Sequence, residues 1–141
     1  MDVITILDNI TSHIEDNNID LFKLGFVGNG EPLLDYEKLK QYIVHIGDYL
    51  KSGRIAAYTI TNGLLVDREK LEFFKEYKVN VGFSIDGIPA IHNMYRCGSH
   101  ERVMANIALY KEVNGKYPSM NCTVGKEIID NPEETISFFE Q

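Results

Sequence analysis

Three short stretches hold residues whose types could do chemistry together. They are Gly28-Asn29-Gly30-Glu31-Pro32, Thr61-Asn62-Gly63, and Ser84-Ile85-Asp86-Gly87 with His92 and Arg96 beyond it. The glycines let a ligand approach the backbone and expose N–H groups to it. A glutamate beside them is placed to accept hydrogen bonds from an ammonium group. An arginine holds a carboxylate through two parallel N–H···O bonds. A surface that offers both suits an amino-acid moiety. Taken singly, these are ordinary features. Asn62-Gly63 and Asp86-Gly87 are common turn dipeptides, Gly28 to Gly30 also reads as a strand-to-helix turn, and Arg96 also reads as a surface residue. His13, His45, His92 and His100 have no metal-ligand spacing with one another or with the cysteines, and read as surface or internally satisfied side chains. Cys122 reads as a buried strand thiol and Cys97 as a loop thiol.

The elements that must position these residues alternate in hydrophobic period. Val3, Ile6, Leu7, Ile10 and Ile14 fall at helical spacing, which predicts a helix over 2–17. An apolar run over 21–27 predicts a strand that delivers the first glycine cluster. Asp35 is the expected N-cap of a helix carrying Leu39, Tyr42, Ile43, Ile46 and Leu50. A strand over 55–61, a helix over 67–77 with Leu71 and Phe74 inward, and a strand over 80–85 follow. Residues 88–99 read as looser chain. A helix over 101–114 turns Val103, Ile107 and Tyr110 to one face, and a strand is expected over 120–124. Asn131-Pro132-Glu133-Glu134 signals a last helix, with Ile136 and Phe139 inward. Strands alternating with helices predict parallel strands with right-handed crossovers, and in such folds ligands bind at the carboxyl ends of the strands. All three chemical stretches fall at that rim. Four strands do not close a barrel, so the sheet is open or is part of a larger one.

Length and composition bound the rest. The 141 residues predict a single domain, 1–141, large enough to bury a core without disulfides. A net charge of −7 argues against a sequence-independent grip on nucleic acid or anionic lipid. No apolar run approaches the roughly 20 residues that span a bilayer, and the acidic first residues lack the basic region of a secretion signal; the expectation is a cytoplasmic protein. Two cysteines are too few for a disulfide scaffold or an all-cysteine zinc site.

Gly30-Glu31-Pro32-Leu33-Leu34, then Thr61-Asn62-Gly63, then Ser84-Ile85-Asp86-Gly87 with His92 and Arg96, in this order, resemble the radical S-adenosylmethionine (SAM) enzymes. The likeness is greatest to the SPASM-type branch, the relatives of anaerobic sulfatase-maturating enzymes, and covers nearly the whole chain. The resemblance implies an α/β fold, a partial (β/α)6 barrel of which about four parallel strands are present as an open sheet. It implies SAM as cofactor. The family's Gly-Gly-Glu-Pro motif, which contacts the SAM amino group, maps onto Asn29-Gly30-Glu31-Pro32, with Asn29 in place of a glycine. Ser84 and Arg96 correspond to SAM-contacting residues of the sulfatase-maturating branch. Asn62 corresponds to the loop facing the same pocket. The family's His-Asp pair before the arginine is His92-Asn93 here.

The family also carries a CxxxCxxC loop whose thiolates bind a 4Fe–4S cluster. Cys97 and Cys122 lie outside the segment where that loop belongs, and two thiolates do not supply the usual ligands of a cluster. The resemblance therefore implies a truncated radical SAM enzyme. Its parent would cleave SAM reductively and modify a substrate, such as a peptide or protein side chain, and the isolated chain would be inactive. Alternatives are a non-catalytic domain that binds SAM or a nucleoside or acts as a scaffold, and a small domain that binds a phosphorylated ligand at Gly28–Gly30. Truncation also implies an exposed edge at strand 21–27, and with it edge pairing into a dimer.

Overall fold

The structure is a computed structural model that describes residues 2–28 and 30–140. Four strands, β1 (Phe22–Phe26), β2 (Ile55–Thr61), β3 (Asn80–Ser84) and β4 (Ser119–Asn121), form one sheet. Every neighbouring pair is parallel, and the order is β1-β2-β3-β4. Each strand lies beside the next in sequence, so the crossovers all step the same way. That is the wall of a barrel rather than a doubly wound sheet, whose order reverses at a switch point.

Helix α1 (Val3–Asp16) precedes β1, and a 3-10 turn (Pro32–Asp35) leads into α2 (Tyr36–His45) and α3 (Gly47–Ser52). Helix α4 (Arg68–Glu76) joins β2 to β3, and α5 (Pro89–Tyr95) and α6 (His100–Asn114) join β3 to β4. Helices α7 (Lys126–Asp130) and α8 (Pro132–Phe139) follow. Among the described residues no helix is long and apolar enough to cross a membrane.

The register sorts the sheet into two faces, because side chains alternate along a strand. Phe26, Thr59 and Val81 share one row, and Thr61, Phe83 and Met120 another. These rows face the helices, where Leu7, Ile43, Leu50, Phe74, Val103 and Ile107 complete a buried core. The opposite face carries Gly25, Tyr58 and Asn80 in one row, and Ile60, Gly82 and Ser119 in the next. Ser84 and Asn121 end it at the carboxyl rim.

Local chemistry explains the element starts. Asp2 caps α1 by accepting the Thr5 N–H at 3.0 Å, and Asp67 caps α4 through the Lys70 N–H at 2.9 Å. Asp35, the expected cap of α2, makes no side-chain cap bond. The chain enters that helix through the 3-10 turn, and Glu31 caps the turn by accepting the Leu33 N–H at 3.2 Å.

Five expectations are corrected. The helix expected to run on through Leu50 breaks at Ile46, where the backbone of Gly47 passes against the Tyr77 ring. The stretch expected to be loose contains α5, started by Pro89. Strand β4 stops at Asn121, because the Thr123 N–H turns to the Asp86 carboxylate instead of continuing a ladder; Cys122 therefore lies outside the strand and is only half-buried. Helix α7 had no counterpart in the expected elements. In α8 the inward residues are Thr135, packed on Gly87, and Phe138, edge-on to His100, whereas Ile136 and Phe139 are exposed.

Candidate functional site

At the carboxyl rim of the sheet, two carboxylates each tie the ends of adjacent strands together. Glu31 follows β1. Its Oε1 accepts the Thr61 hydroxyl at 2.6 Å and its Oε2 accepts the Asn62 N–H at 2.7 Å. With the Leu33 N–H, three of the roughly four acceptor positions of a carboxylate are filled. Glu31 is thus first a brace between the β1 loop and the end of β2, with one acceptor position left over. Thr61 Oγ1 in turn accepts the Gly63 N–H at 3.0 Å, and Asn62 closes a local turn by accepting the Leu64 N–H at 2.9 Å.

Asp86 plays the matching part between β3 and β4. It is buried, and its carboxylate holds the Nε and Nη2 edge of Arg96, the Nη2 bond being 3.2 Å long. Oδ1 also accepts the Thr123 N–H at 2.9 Å. Burial alone would push this carboxyl up. The Arg96 hydrogen bond, the Thr123 N–H and the charges of Arg96 and His92 outweigh it and hold the group below the ordinary value of 3.8.

Beneath this pair lies a histidine network. The Asp86 N–H donates to His92 Nδ1 at 3.1 Å, which places the proton of the neutral ring on Nε2, 3.0 Å from Ser99 Oγ. His100 Nε2 donates to the Gly87 carbonyl at 3.2 Å, and the two imidazoles meet edge to face at 5.4 Å. Burial, followed by the charges of His100 and Arg96, lowers the His92 pKa below its ordinary 6.5.

The expected site residues are distributed as follows. Asn29 lies outside the described residues. Gly30 is exposed with a φ of 127°, and its N–H donates to the Gly28 carbonyl at 3.0 Å. Gly30, Glu31 and Pro32 also line one end of a largely apolar groove of about 570 Å³ that follows β1 between α1 and α2. Ile6, Leu7, Leu24, Phe26 and Leu39 form its walls. Glu31 and Asn62 meet directly. Ser84 ends β3, and Arg96 reaches back to the same loop through Asp86. Asp86 itself was read from sequence as half of a turn dipeptide. Its role was foreshadowed only by its place in Ser84-Ile85-Asp86-Gly87, with an arginine one short helix downstream.

The residues fit SAM at two points. Asp86 occupies one edge of the guanidinium, so three of its five donors remain, two on Nη1 and one on Nη2. A Cβ placed on Gly30 meets nothing within 4 Å, so its backbone is open to a ligand. The residues do not fit a 4Fe–4S cluster. Of the two thiols, Cys97 is exposed after α5, and burial, followed by the charge of Asp86, pushes the Cys122 thiol above its usual value, away from the thiolate a metal needs. Among the described residues no three His, Cys, Asp or Glu side chains converge as a metal site.

Consecutive parallel βα units stepping one way across the sheet define a barrel-type α/β protein. The profile of the Radical SAM superfamily matches residues 5–139, and the chain belongs to that superfamily. Over 119 residues it is 29% identical to the cysteine-type anaerobic sulfatase-maturating enzyme of Clostridium novyi (strain NT), covering 79% of this chain and 32% of that enzyme. An uncharacterized Synechocystis protein is 32% identical over 84 residues, 56% of this chain and 21% of that protein. Among solved structures, native anSMEcpe with bound AdoMet superposes with a TM-score of 0.76 at 24% identity, over 96% of this chain and 38% of that one. The same protein with bound AdoMet and Cp18Cys peptide gives 0.77. These superpositions show the fold. The chain spans about a third of the length of the Clostridium relative.

Proposed function

We propose that this chain forms the SAM-binding part of a radical SAM enzyme that modifies a peptide or protein side chain. Bound there, SAM would supply, on one-electron reduction by an iron–sulfur cluster, the radical that removes a hydrogen atom from the substrate. The chain's own residues bind and orient. Gly30 offers open backbone to the amino-acid end of the ligand, Glu31 fixes that loop against β2 with one acceptor position to spare, and Arg96 presents guanidinium donors to a carboxylate. Ser84 brings a hydroxyl to the same rim. The observation that carries the reading is the meeting of all these groups at the carboxyl ends of consecutive parallel strands. Sulfatase maturation is the finer reading, supported by the Clostridium relative, and the peptide bound to anSMEcpe favours a peptide substrate.

The test is calorimetric titration of SAM into the chain and into Glu31→Ala and Arg96→Ala. Binding by the wild-type chain that falls at least about tenfold in Arg96→Ala is expected, the worth of one charge-assisted contact. Absence of binding by the wild-type chain leaves a scaffold role. The open edge of β1 further supports pairing with a second copy of the chain.

A further inference from the structure

The Asp86 carboxylate holds the Arg96 guanidinium side-on. A free arginine side chain loses rotamer freedom when it is held. Its immobilisation here precedes any ligand, because Asp86 grips it side-on.

We infer that Asp86 is the positioning residue that turns Arg96 into a carboxylate receptor, holding the guanidinium by its Nε–Nη2 edge so that the Nη1 end faces an incoming ligand. The inference rests on the reading of this rim as a SAM site. Three features of the geometry carry it. Asp86 is fixed at both ends: its carboxylate is tied to the Thr123 N–H at 2.9 Å, and its own N–H to His92 Nδ1 at 3.1 Å. His92 is wholly buried, and its other nitrogen is tied to Ser99, so the strut beneath Asp86 is itself braced. The Arg96 backbone donates to the His92 carbonyl at 2.9 Å, so α5 ends at a set distance from the β3 loop. Guanidinium chemistry does the rest. A carboxylate taken on the Nε edge leaves the terminal Nη donors for a second, end-on carboxylate. The group it would take is therefore a carboxylate, and the reading of this rim as a SAM site makes it the amino-acid carboxylate of a nucleoside.

A mere structural staple would also join β3, β4 and α5, so the test must separate the two roles. The probes are S-adenosylhomocysteine, which carries the amino-acid carboxylate, and 5′-methylthioadenosine, which lacks it. Each is titrated calorimetrically into the full chain and into Asp86→Asn. The wild-type chain is expected to prefer S-adenosylhomocysteine by about tenfold or more, the worth of one charge-assisted contact. Asp86→Asn is expected to lose most of that preference while binding 5′-methylthioadenosine as before. Full preference retained in Asp86→Asn overturns the positioning role and leaves the SAM reading standing. Equal binding of both probes by the wild-type chain, or no binding of either, overturns both. Should Asp86→Asn fail to fold, the wild-type chain still decides. The Arg96 Nε–H resonance should be protected from exchange with water in the absence of ligand, and a fast-exchanging resonance overturns the inference.

Discussion

Glu31 Oε2 accepts the backbone N–H of Asn62 at 2.7 Å, joining two residues 31 positions apart across the carboxyl ends of β1 and β2. The bond makes a side chain expected as a ligand contact a brace between the β1 loop and the end of β2. Glu31→Gln replaces one acceptor oxygen by an amide that faces donors. It is expected to cost about 1–3 kcal/mol in urea unfolding, the penalty of a partly buried donor left unpaired. Unchanged stability would mean that the carboxylate serves only a ligand.

Acid should loosen the third rim loop in two steps. The folded pKa of His92 is lowered, so its contribution is complete above the unfolded value near 6.5 and declines as pH falls through the folded one. Asp86 is also lowered, so its contribution is present above its ordinary 3.8 and is lost as pH falls further. Urea midpoints measured from pH 7.5 downward should drop first below about 6.5. The His92→Gln variant should show less of that first drop. A wild-type profile flat between pH 7 and 5 speaks against the buried neutral imidazole.

Two glycines should respond differently to alanine. Gly63 has a φ of 80°, and a Cβ there would lie 3.0 Å from the Phe83 ring and 3.2 Å from Val103, both in the core. Gly63→Ala is expected to cost about 1–3 kcal/mol from strain and overpacking. A Cβ on Gly25 would lie 2.8 Å from the end of Tyr58, an exposed side chain with room to move. Gly25→Ala should cost less than about 1 kcal/mol. Thermal or urea unfolding of both variants compares them directly, and a reversed order contradicts the packing described.

The β1 edge gives a test of self-association. The Phe22 N–H bonds the carbonyl of Arg54, the residue before β2, so by alternation the Lys23 and Gly25 backbone groups point to the open side. We expect a concentration-dependent dimer in light scattering. Lys23→Pro removes an outward donor without touching the β1–β2 ladder, and should shift the chain to monomer. A wild-type chain that stays monomeric at high concentration sinks the idea.

Anaerobic reconstitution with iron and sulfide should leave this chain far short of four irons, because Cys97 and Cys122 cannot supply three thiolates. Metal analysis after desalting is the measurement. A stoichiometric four-iron cluster on this chain would show that other side chains serve as ligands.

The sequence by itself determined the βα alternation, because period 2 and period 3.6 are local signals. Strand β2 was legible end to end, as were the inward faces of α4 and α6, set by Leu71, Phe74, Val103, Ile107 and Tyr110. It also determined that Gly30, Glu31, Asn62 and Ser84 fall at the carboxyl ends of parallel strands, since each follows or ends one. Only the tertiary structure decided what those residues hold. Thr123 leaves β4 early because a carboxylate 37 positions away takes its N–H, and no local pattern encodes that. The face of α8 was misread because Thr135 fits against Gly87, a contact that hydrophobic periodicity does not weigh. Asp86 looked like a turn residue because turn chemistry is local. Its burial against Arg96, Thr123 and His92 depends on three separate segments arriving together, which chain order alone does not specify.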